Sequence, residues 1–396
     1  MNLSANIQKI CQMEVICRII CNFAANYLKM MKFMWMIVFM VLPLLAIVYL
    51  GWHVWVLLPV SPVWKSLLII AGVLCFSMLF LSVGRKFDQL PLPVAQLLYE
   101  VGTSSLIVML YLVMIFLVLD IGRMVHLVPK SLLYANWPMA VGIFAFVFGI
   151  FLYGNLHYKH KVRVPLELTT SKPLPKAYKI LMASDLHLGY HNPHKELARW
   201  VDLMNAENPD FILIAGDIID GSMRPLIEEN MAKEFQRLQA PVYACLGNHE
   251  YYAGEPQAQQ FIRDSGIRLL IDEAAEIDSC IVVVGRDDRT NRRRKPIKEL
   301  VADTGKYTIV LDHQPYNLER TESVGADFQL SGHTHRGQIW PISWITDALY
   351  ECSWGRHQRG NTHYYVTSGI GLWGGKFRIG TQSEYVVVRL ISKDSD

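Results

Sequence analysis

The sequence predicts an N-terminal α-helical transmembrane bundle followed by a C-terminal α/β layered sandwich with a mixed sheet. Three observations predict this. Hydrophobic residues make up 52% of the 396 positions but crowd into the first 160, whereas most of the Asp, Glu, Lys and Arg lie beyond them. Four stretches, 33–64, 66–84, 101–119 and 131–158, contain no charged side chain apart from histidine. From about residue 178, strand-like and helix-like periodicities alternate, and strands then dominate.

A membrane-crossing helix needs about 20 apolar residues, because each residue rises only ~1.5 Å and every backbone polar group must be paired within the segment. The four uncharged stretches therefore predict spans near 35–57, 65–84, 98–119 and 137–157. Pro43 and Pro59 would tilt or kink the first. Lys and Arg remain on the cytoplasmic side of spans. One set of flanks carries nine (Lys9, Arg18, Lys29, Lys32, Arg85, Lys86, Lys159, Lys161, Arg163), the other three (Lys65, Arg123, Lys130). The chain is thus expected to be a multi-pass integral membrane protein with both ends and its α/β domain in the cytoplasm.

Residues 1–30 have scattered charges and no signal-peptide pattern. They read either as an interfacial helix or as an upstream start ahead of Met30 and Met31. The expected organisation is an N-terminal segment at 1–30, a transmembrane domain at 31–158, a polar linker at 159–177 and the α/β domain at 178–396. Pro165, Pro173 and Pro175 make the linker an extended connection rather than a further element.

Within the last part, 178–184 is an apolar run that reads as a strand ending at Asp185. Leu197, Trp200, Val201 and Met204 mark a helix over 194–205, and 211–215 is the next strand. Helices near 225–238 and 255–264 alternate with strands at 242–246 and 281–285, and further strands fit 307–311, 328–330, 364–367 and 385–390.

A net charge of +3 is too small for the basic surface that nucleic-acid binding requires, so no nucleic-acid partner is expected. Seven cysteines without a Cys-x-x-Cys pair suggest neither a disulfide framework nor a thiolate zinc site.

Acidic and imidazole residues recur just after the predicted strands: Asp185 and His187, Asp217, Asn248 and His249, His313, then His333 and His335. Ligands collect at the carboxyl ends of strands in α/β sheets, so these loops should converge on one crevice. Carboxylates, an amide oxygen and several imidazoles together suit divalent Mn, Fe or Zn, unlike an all-oxygen Ca or Mg cage. In Asp185-x-His187 and His333-x-His335 the spacing lets both side chains point one way from extended backbone. Gly216, Gly247 and Gly332 would let the chain turn tightly beside them. His191 and His194 read as solvated loop residues. The basic stretch at 286–295 reads as a solvated loop or as an attractor of anionic substrate or lipid headgroups, and Trp340, Trp344, Trp354 and Trp373 as core or interfacial side chains.

In order, SDLHLG, AGDIID, LGNHEYY, LDHQP and SGHTHRGQIWP resemble the motifs of the calcineurin-like metallophosphoesterase superfamily over residues 178 to 390. SGHTHRGQ and GRDD are most similar to its membrane-associated branch, in which Arg336 usually gives way to Gly. The resemblance implies the metallophosphoesterase fold and two divalent ions, with Asp185, His187 and His335 on one, Asn248, His313 and His333 on the other, and Asp217 bridging. His249, next to Asn248, is the candidate to protonate the leaving oxygen or to stabilise charge on the phosphoryl group, beside Asp217 as a catalytic residue. Arg336 and Arg286 are candidate substrate contacts.

The expected activity is metal-dependent hydrolysis, with manganese a natural choice, of a phosphoester, phosphodiester or pyrophosphate near the membrane, the substrate being in one version part of a lipid. Two alternatives are a pyrophosphate hydrolase of the UDP-2,3-diacylglucosamine type and a non-catalytic membrane scaffold or sensor. The charge asymmetry yields a first prediction. A reporter active only in the cytoplasm, fused after Asp396, is expected to be active; activity of an export-dependent reporter there would refute the count of four spans.

Overall fold

Apolar composition favours helix in the N-terminal region, and the computed structural model, which describes residues 41–393, shows where the helices of the described part end. The segment expected at 1–30 and the start of the first span lie outside the described residues. An apolar helix, α1, covers Val41–Leu57. Three further helices are long and apolar enough to cross a membrane by length and composition: Pro62–Leu81, Leu92–Met124 and Trp137–Lys159. The first is α-helical (α2) over Pro62–Ser77 and tightens into a 3₁₀ helix over Met78–Gln89. The second, α3 (Leu92–Met124), begins six residues before the expected 98, because Pro91 and Pro93 are tolerated in a first helical turn. The third is α4, Trp137–Lys159.

The chain forms two compact units, one made of the residues up to Val73 with Met109–Ile143, the other of Leu74–Val108 with everything from Phe144 onward. In the first, Asp120 is the acidic group to be satisfied. It accepts a hydrogen bond from the Tyr49 hydroxyl at 2.8 Å and lies 3.1 Å from Nε2 of His53, whose ring stacks on Phe116 at 4.0 Å. A carboxylate in apolar surroundings persists only with such partners.

The second unit is built on two six-stranded mixed sheets. In one, β1 (Lys161–Thr170) lies at the edge, followed by β12 (Ser383–Ser392), β2 (Tyr178–Ala183), β3 (Phe211–Ala215), β4 (Val242–Cys245) and β5 (Arg268–Leu269). In the other the order is β10 (Gly355–Arg359), β11 (Thr362–Val366), β9 (Phe328–Ser331), β8 (Tyr307–Leu311), β7 (Ile281–Gly285) and β6 (Glu273–Ile277). Alternation sorts each strand between two cores. Ile180, Met182, Phe211 and Leu213 face Val283, Ile309, Leu311 and Leu330 of the other sheet. Leu181, Ala183, Ile212 and Ile214 face outward onto α5 (His194–Ala206), α7 (Met231–Phe235) and α8 (Asn248–Asp264), where Leu197, Trp200, Phe235 and Phe261 complete the layer.

The linker expectation is corrected here. Residues 161–170 form a strand that pairs in parallel with β12 along its whole length. The alternation of Val162, Val164, Leu166 and Leu168 with outward polar side chains drives it, and Pro165 is accommodated because the strand is at an edge. The single helix expected near 225–238 is two short ones, α6 (Arg224–Glu228) and α7, parted by Asn230 in a left-handed conformation. The helix expected from 255 begins at Asn248 and bends at Gly254 (φ +109°), just before Pro256. The remaining helices are α9 (Leu318–Ser323) and α10 (Ile342–Leu349).

Every parallel strand of the first sheet from β2 to β4, and of the second from β7 to β9, runs in register with its neighbour. Their carboxyl ends therefore open on one side of the sandwich. This alignment gathers the loops that carry the acidic and imidazole residues.

Candidate metal centre

The loop after β2 carries Asp185 and His187, that after β3 Asp217 and Asp220, that after β4 Asn248, His249 and Glu250, that after β8 Asp312 and His313, and that after β9 His333 and His335. Three groups of side chains result, each within a metal ion's reach: Asp185, His187 and His335; His187, Asp217 and His249; and Asp217, His313 and His333. Nε2 of His187 faces Nε2 of His335 at 3.0 Å, and both approach Asp185 Oδ1, at 3.7 and 3.5 Å. Asp217 Oδ2 lies 3.0 Å from His313 Nε2 and 3.7 Å from His187 Nε2, which makes it common to both sides of the cluster.

The spacing argument from extended backbone does not hold in its simple form. Asp185 (φ +56°), His187 (+45°), Asp217 (+51°), His333 (+71°) and His335 (+48°) all have left-handed backbone, a conformation that costs a non-glycine residue energy and concentrates at functional sites. His333 and His335 fall in different groups of potential ligands. Of the three glycines, only Gly216 turns the chain with a positive φ; Gly247 and Gly332 are needed for close approach, since a Cβ there would fall 2.1 Å from Asp217 Oδ1 and 2.3 Å from Asp185 Oδ2.

The donor set fits divalent ions on three structural grounds. Asn248 Oδ1 is buried without a hydrogen-bond partner among the described residues. Such an orphaned acceptor is costly unless something binds it. His313 donates from Nδ1 to Ala215 O at 2.7 Å, which leaves the lone pair on Nε2 facing the cluster. Two nitrogens bound to one ion at ~2.1 Å each and at right angles would stand about 3 Å apart, as those of His187 and His335 do.

Charge completes the picture. Burial alone would raise the Asp217 carboxyl, yet His313, His249 and His187 hold it well below the usual range. Burial works against protonation of His187, but Asp185 and Asp220 push it up to about 10. Burial likewise opposes a charge on His313, which Asp217 nevertheless holds well above its ordinary value. His333, by contrast, is driven down to about 4 by burial and by the neighbouring His313.

Several residues that matter here were missed in the sequence. Asp220, the last residue of AGDIID, lies 3.2 Å from His249 Nδ1 and 3.4 Å from His187 Nδ1 through Oδ1, and its other oxygen accepts a hydrogen bond from the Tyr99 hydroxyl of α3 at 2.8 Å. Its place in the motif was a usable signal; Tyr99, inside an apolar helix, offered none. Glu250 is wholly buried and accepts from the backbone N–H groups of Gly247, Asp217 and Ile219 at 2.7, 3.1 and 2.9 Å, tying two site loops together. Buried Arg378 donates to the carbonyls of His335, Gly371 and Ser368. Burial lowers its guanidinium to about 10, still charged at neutral pH.

Other expectations need correction. His191 is buried rather than solvated, stacked on Tyr99 with ring centroids 5.4 Å apart and pushed down to about 4 by burial. His194 is half-exposed and lies 3.2 Å from Glu234. Arg286 is not brought to the cleft: it is 4% exposed, and its guanidinium is committed to Asp312 at 2.5 Å, which Arg294 also meets at 3.0 Å. Arg336 lies over the Trp354 ring at 4.1 Å. The open cleft is lined instead by Asn248, Tyr252, Arg289, Gln314, Tyr316 and His333.

Residues 178–337 match the family model of the calcineurin-like phosphoesterases. An uncharacterized metallophosphoesterase of Aquifex aeolicus is 33% identical over 245 residues, 59% of this chain and 93% of that one. One from Campylobacter jejuni is 31% identical, covering 56% of this chain and 61% of that one. A transmembrane protein with metallophosphoesterase domain from Danio rerio is 29% identical, covering 56% and 55% respectively. The chain thus spans nearly all of the first relative but less than two thirds of the other two.

Two outcomes follow. Because ligand nitrogens must be deprotonated, manganese uptake by the metal-free chain should release about one proton or more and should weaken as pH falls below about 10, where His187 gains its proton. Calorimetric titration in buffers of different ionisation enthalpy reads this directly, and uptake without proton release would contradict it. Asp217→Asn should also lower metal content across the whole cluster, measured by elemental analysis of the folded protein.

Proposed function

Since the chain belongs to the calcineurin-like phosphoesterase family, we propose that it is a membrane-anchored hydrolase of phosphomonoesters, phosphodiesters or pyrophosphates, working at a pair of divalent ions. The observation that carries the reading is the run of ligand groups linked through His187 and Asp217, with Asn248 Oδ1 buried and unpartnered among the described residues beside it. In this reading Asp185, His187 and His335 hold one ion, Asn248, His313 and His333 the other, and Asp217 touches both. Bound there, two Mn, Fe or Zn ions would supply the positive charge that clamps a phosphate and acidifies a water.

The chain's own groups do the remaining work. His249 is the proton donor to the leaving oxygen. Its Nδ1 lies 3.0 Å from Asp220 O and 3.2 Å from Asp220 Oδ1, so the ring is oriented with Nε2 left for the substrate. Asp220 also stands behind His187, so one carboxylate aligns a ligand and the acid together. Tyr252, whose ring lies 5.1 Å from that of His249, and the exposed Arg289, stacked on Tyr316 at 4.1 Å, flank the entrance and are the groups that meet an incoming phosphate. Arg336 remains a candidate contact on the opposite side, beside Trp354.

The membrane part of the proposal rests on three helices of sufficient length and apolar composition, and the cytoplasmic side on the flanking charges.

Full-length protein in detergent with added manganese is expected to hydrolyse a generic aryl phosphate ester or diester; metal-dependent silence across a broad panel would favour the scaffold reading. His249→Ala removes no proposed ligand. It should therefore keep its metal while turnover falls by ~10² to 10⁴, and by less on a substrate whose leaving group needs little protonation. Loss of metal from this variant would make His249 a ligand or its support instead.

A further inference from the structure

On the reading that the apolar helices cross a membrane, we propose that α10 lies in the interfacial layer of the same bilayer, its apolar face against the lipid and its far end at the mouth of the catalytic cleft. The helix is short and two-sided. Ser343 is buried, Ile342 and Thr346 are half-buried and Asp347 is exposed; the exposed apolar residues are Trp344 (63% exposed), Ile345, Ala348 and Leu349 (70%). These four stand at i, i+1, i+4 and i+5 and so share one face. Trp340, just before the helix, packs edge-on against Trp344 at 5.4 Å and extends that face. An exposed apolar surface of this kind marks a contact with something apolar.

Continuity with α4 indicates what that is. Trp340 N donates to Ile379 O at 2.7 Å, and Ile339 and Ile379 form a parallel bridge. The strand-like segment around Ile379 in turn clasps α4. A Cβ on Gly154 would stand 2.9 Å from Ile379 Cγ1, Arg378 N donates to Gly154 O at 3.0 Å, Asn155 Nδ2 donates to Lys376 O at 3.1 Å, and Phe151 meets Phe377 edge-on at 4.7 Å. Gly154 is five residues, ~7 to 8 Å along the axis, from the cationic end of α4 at Lys159. On the other side of Gly154, Phe144, Phe146, Phe148 and Leu152 are exposed apolar side chains of a candidate span. The clasp therefore fixes α10 at the depth where a span passes from hydrocarbon to headgroups, the layer that indole rings and amphipathic helices prefer.

The other end of α10 reaches the site. Tyr350, the next residue, hydrogen-bonds through its hydroxyl to that of Tyr316 at 2.9 Å and lies with its ring 6.4 Å from that of His333. Tyr316 and His333 both line the cleft. A phosphoester whose acyl chains remain in the bilayer would then present its headgroup to the cleft without leaving the membrane, which makes amphiphilic phosphoesters the substrate class this placement serves.

The test uses the full chain reconstituted in vesicles of phosphatidylcholine and phosphatidylglycerol, with ordinary or brominated acyl chains, bromine being a short-range quencher of indole emission. The contribution of Trp344 is the difference between wild type and Trp344→Phe, and that of Trp137, on α4, is obtained likewise with Trp137→Phe. Quenching of both by the brominated lipid is expected. Quenching of Trp137 alone would overturn the placement of α10 and leave the membrane reading intact; quenching of neither would overturn both. In a second arm, Ile345→Ser with Leu349→Ser should lower turnover of a vesicle-embedded phosphoester about tenfold, while a soluble aryl phosphate changes by less than about twofold. Equal loss on both substrates, or loss accompanied by a lower oligomeric state than that of the wild type, would overturn the assignment in favour of a structural role or of a second copy of the chain.

Discussion

Burial of negative charge is the constraint around which the α/β unit is organised. Asp185, Asp217 and Asp220 are all nearly or wholly inaccessible to water, and an uncompensated carboxylate in such a place would cost several kcal/mol. Each is answered from several directions. His333 N–H donates to both Asp185 oxygens at 3.0 and 3.2 Å, and His249 N–H donates to Asp217 Oδ1 at 2.9 Å. Imidazoles, and in the proposed active form cations, supply the remaining charge. The left-handed backbone at Asp185, His187, Asp217, His333 and His335 is what directs those groups at one point. Parallel strands in register hold the ends of five loops close enough to enforce it.

The two hydrophobic cores have a related task. Strand faces alternate so strictly in β2 and β3 that one set of side chains closes the sandwich while the other seats the helices. Neither core reaches into the site. Polar ties take over there: Glu250 between the loops after β3 and β4, Arg378 between the loop after β9 and the turn before β12. Removing either would strand a buried charge or several backbone groups, so the rigidity of the site depends on side chains outside the ligand set.

Much of this was legible in the sequence, and the parts that were not share a cause. The strands carrying the motifs were readable because apolar runs end abruptly at an acid or a histidine, and the ligand-type residues because their chemistry is unusual in bulk. The strand at 161–170 was obscured by three prolines that read as loop, although its alternation was present. β5 and β6 were missed for want of length or apolar content, being two and five residues long with Glu273 and Glu276 on the latter. Arg286 looked like a substrate contact because a basic run is visible in sequence, but its partner Asp312 is not adjacent to it there. Tyr99, Glu250 and Arg378 act only through distant neighbours, and no local pattern announces such a role.

The hydrogen bond from Tyr99 to Asp220 alters how the helical region should be regarded. Its neighbours repeat the theme: Arg224 donates to the carbonyls of Phe87 and Leu90 at 3.0 and 2.7 Å, Gln96 donates to Glu229 at 2.8 Å, and the Tyr190 hydroxyl donates to Asp88. Phe87 and Ala95 are buried against Tyr190 in a small core of their own. A soluble version cut at the first strand would leave that core open to water and deprive the carboxylate behind His249 of a donor. The start of α3 is therefore a piece of the α/β unit's scaffolding rather than a leash. Transplanting the sheets onto another anchor, by recombination or by design, would require carrying this stretch of helix along with them.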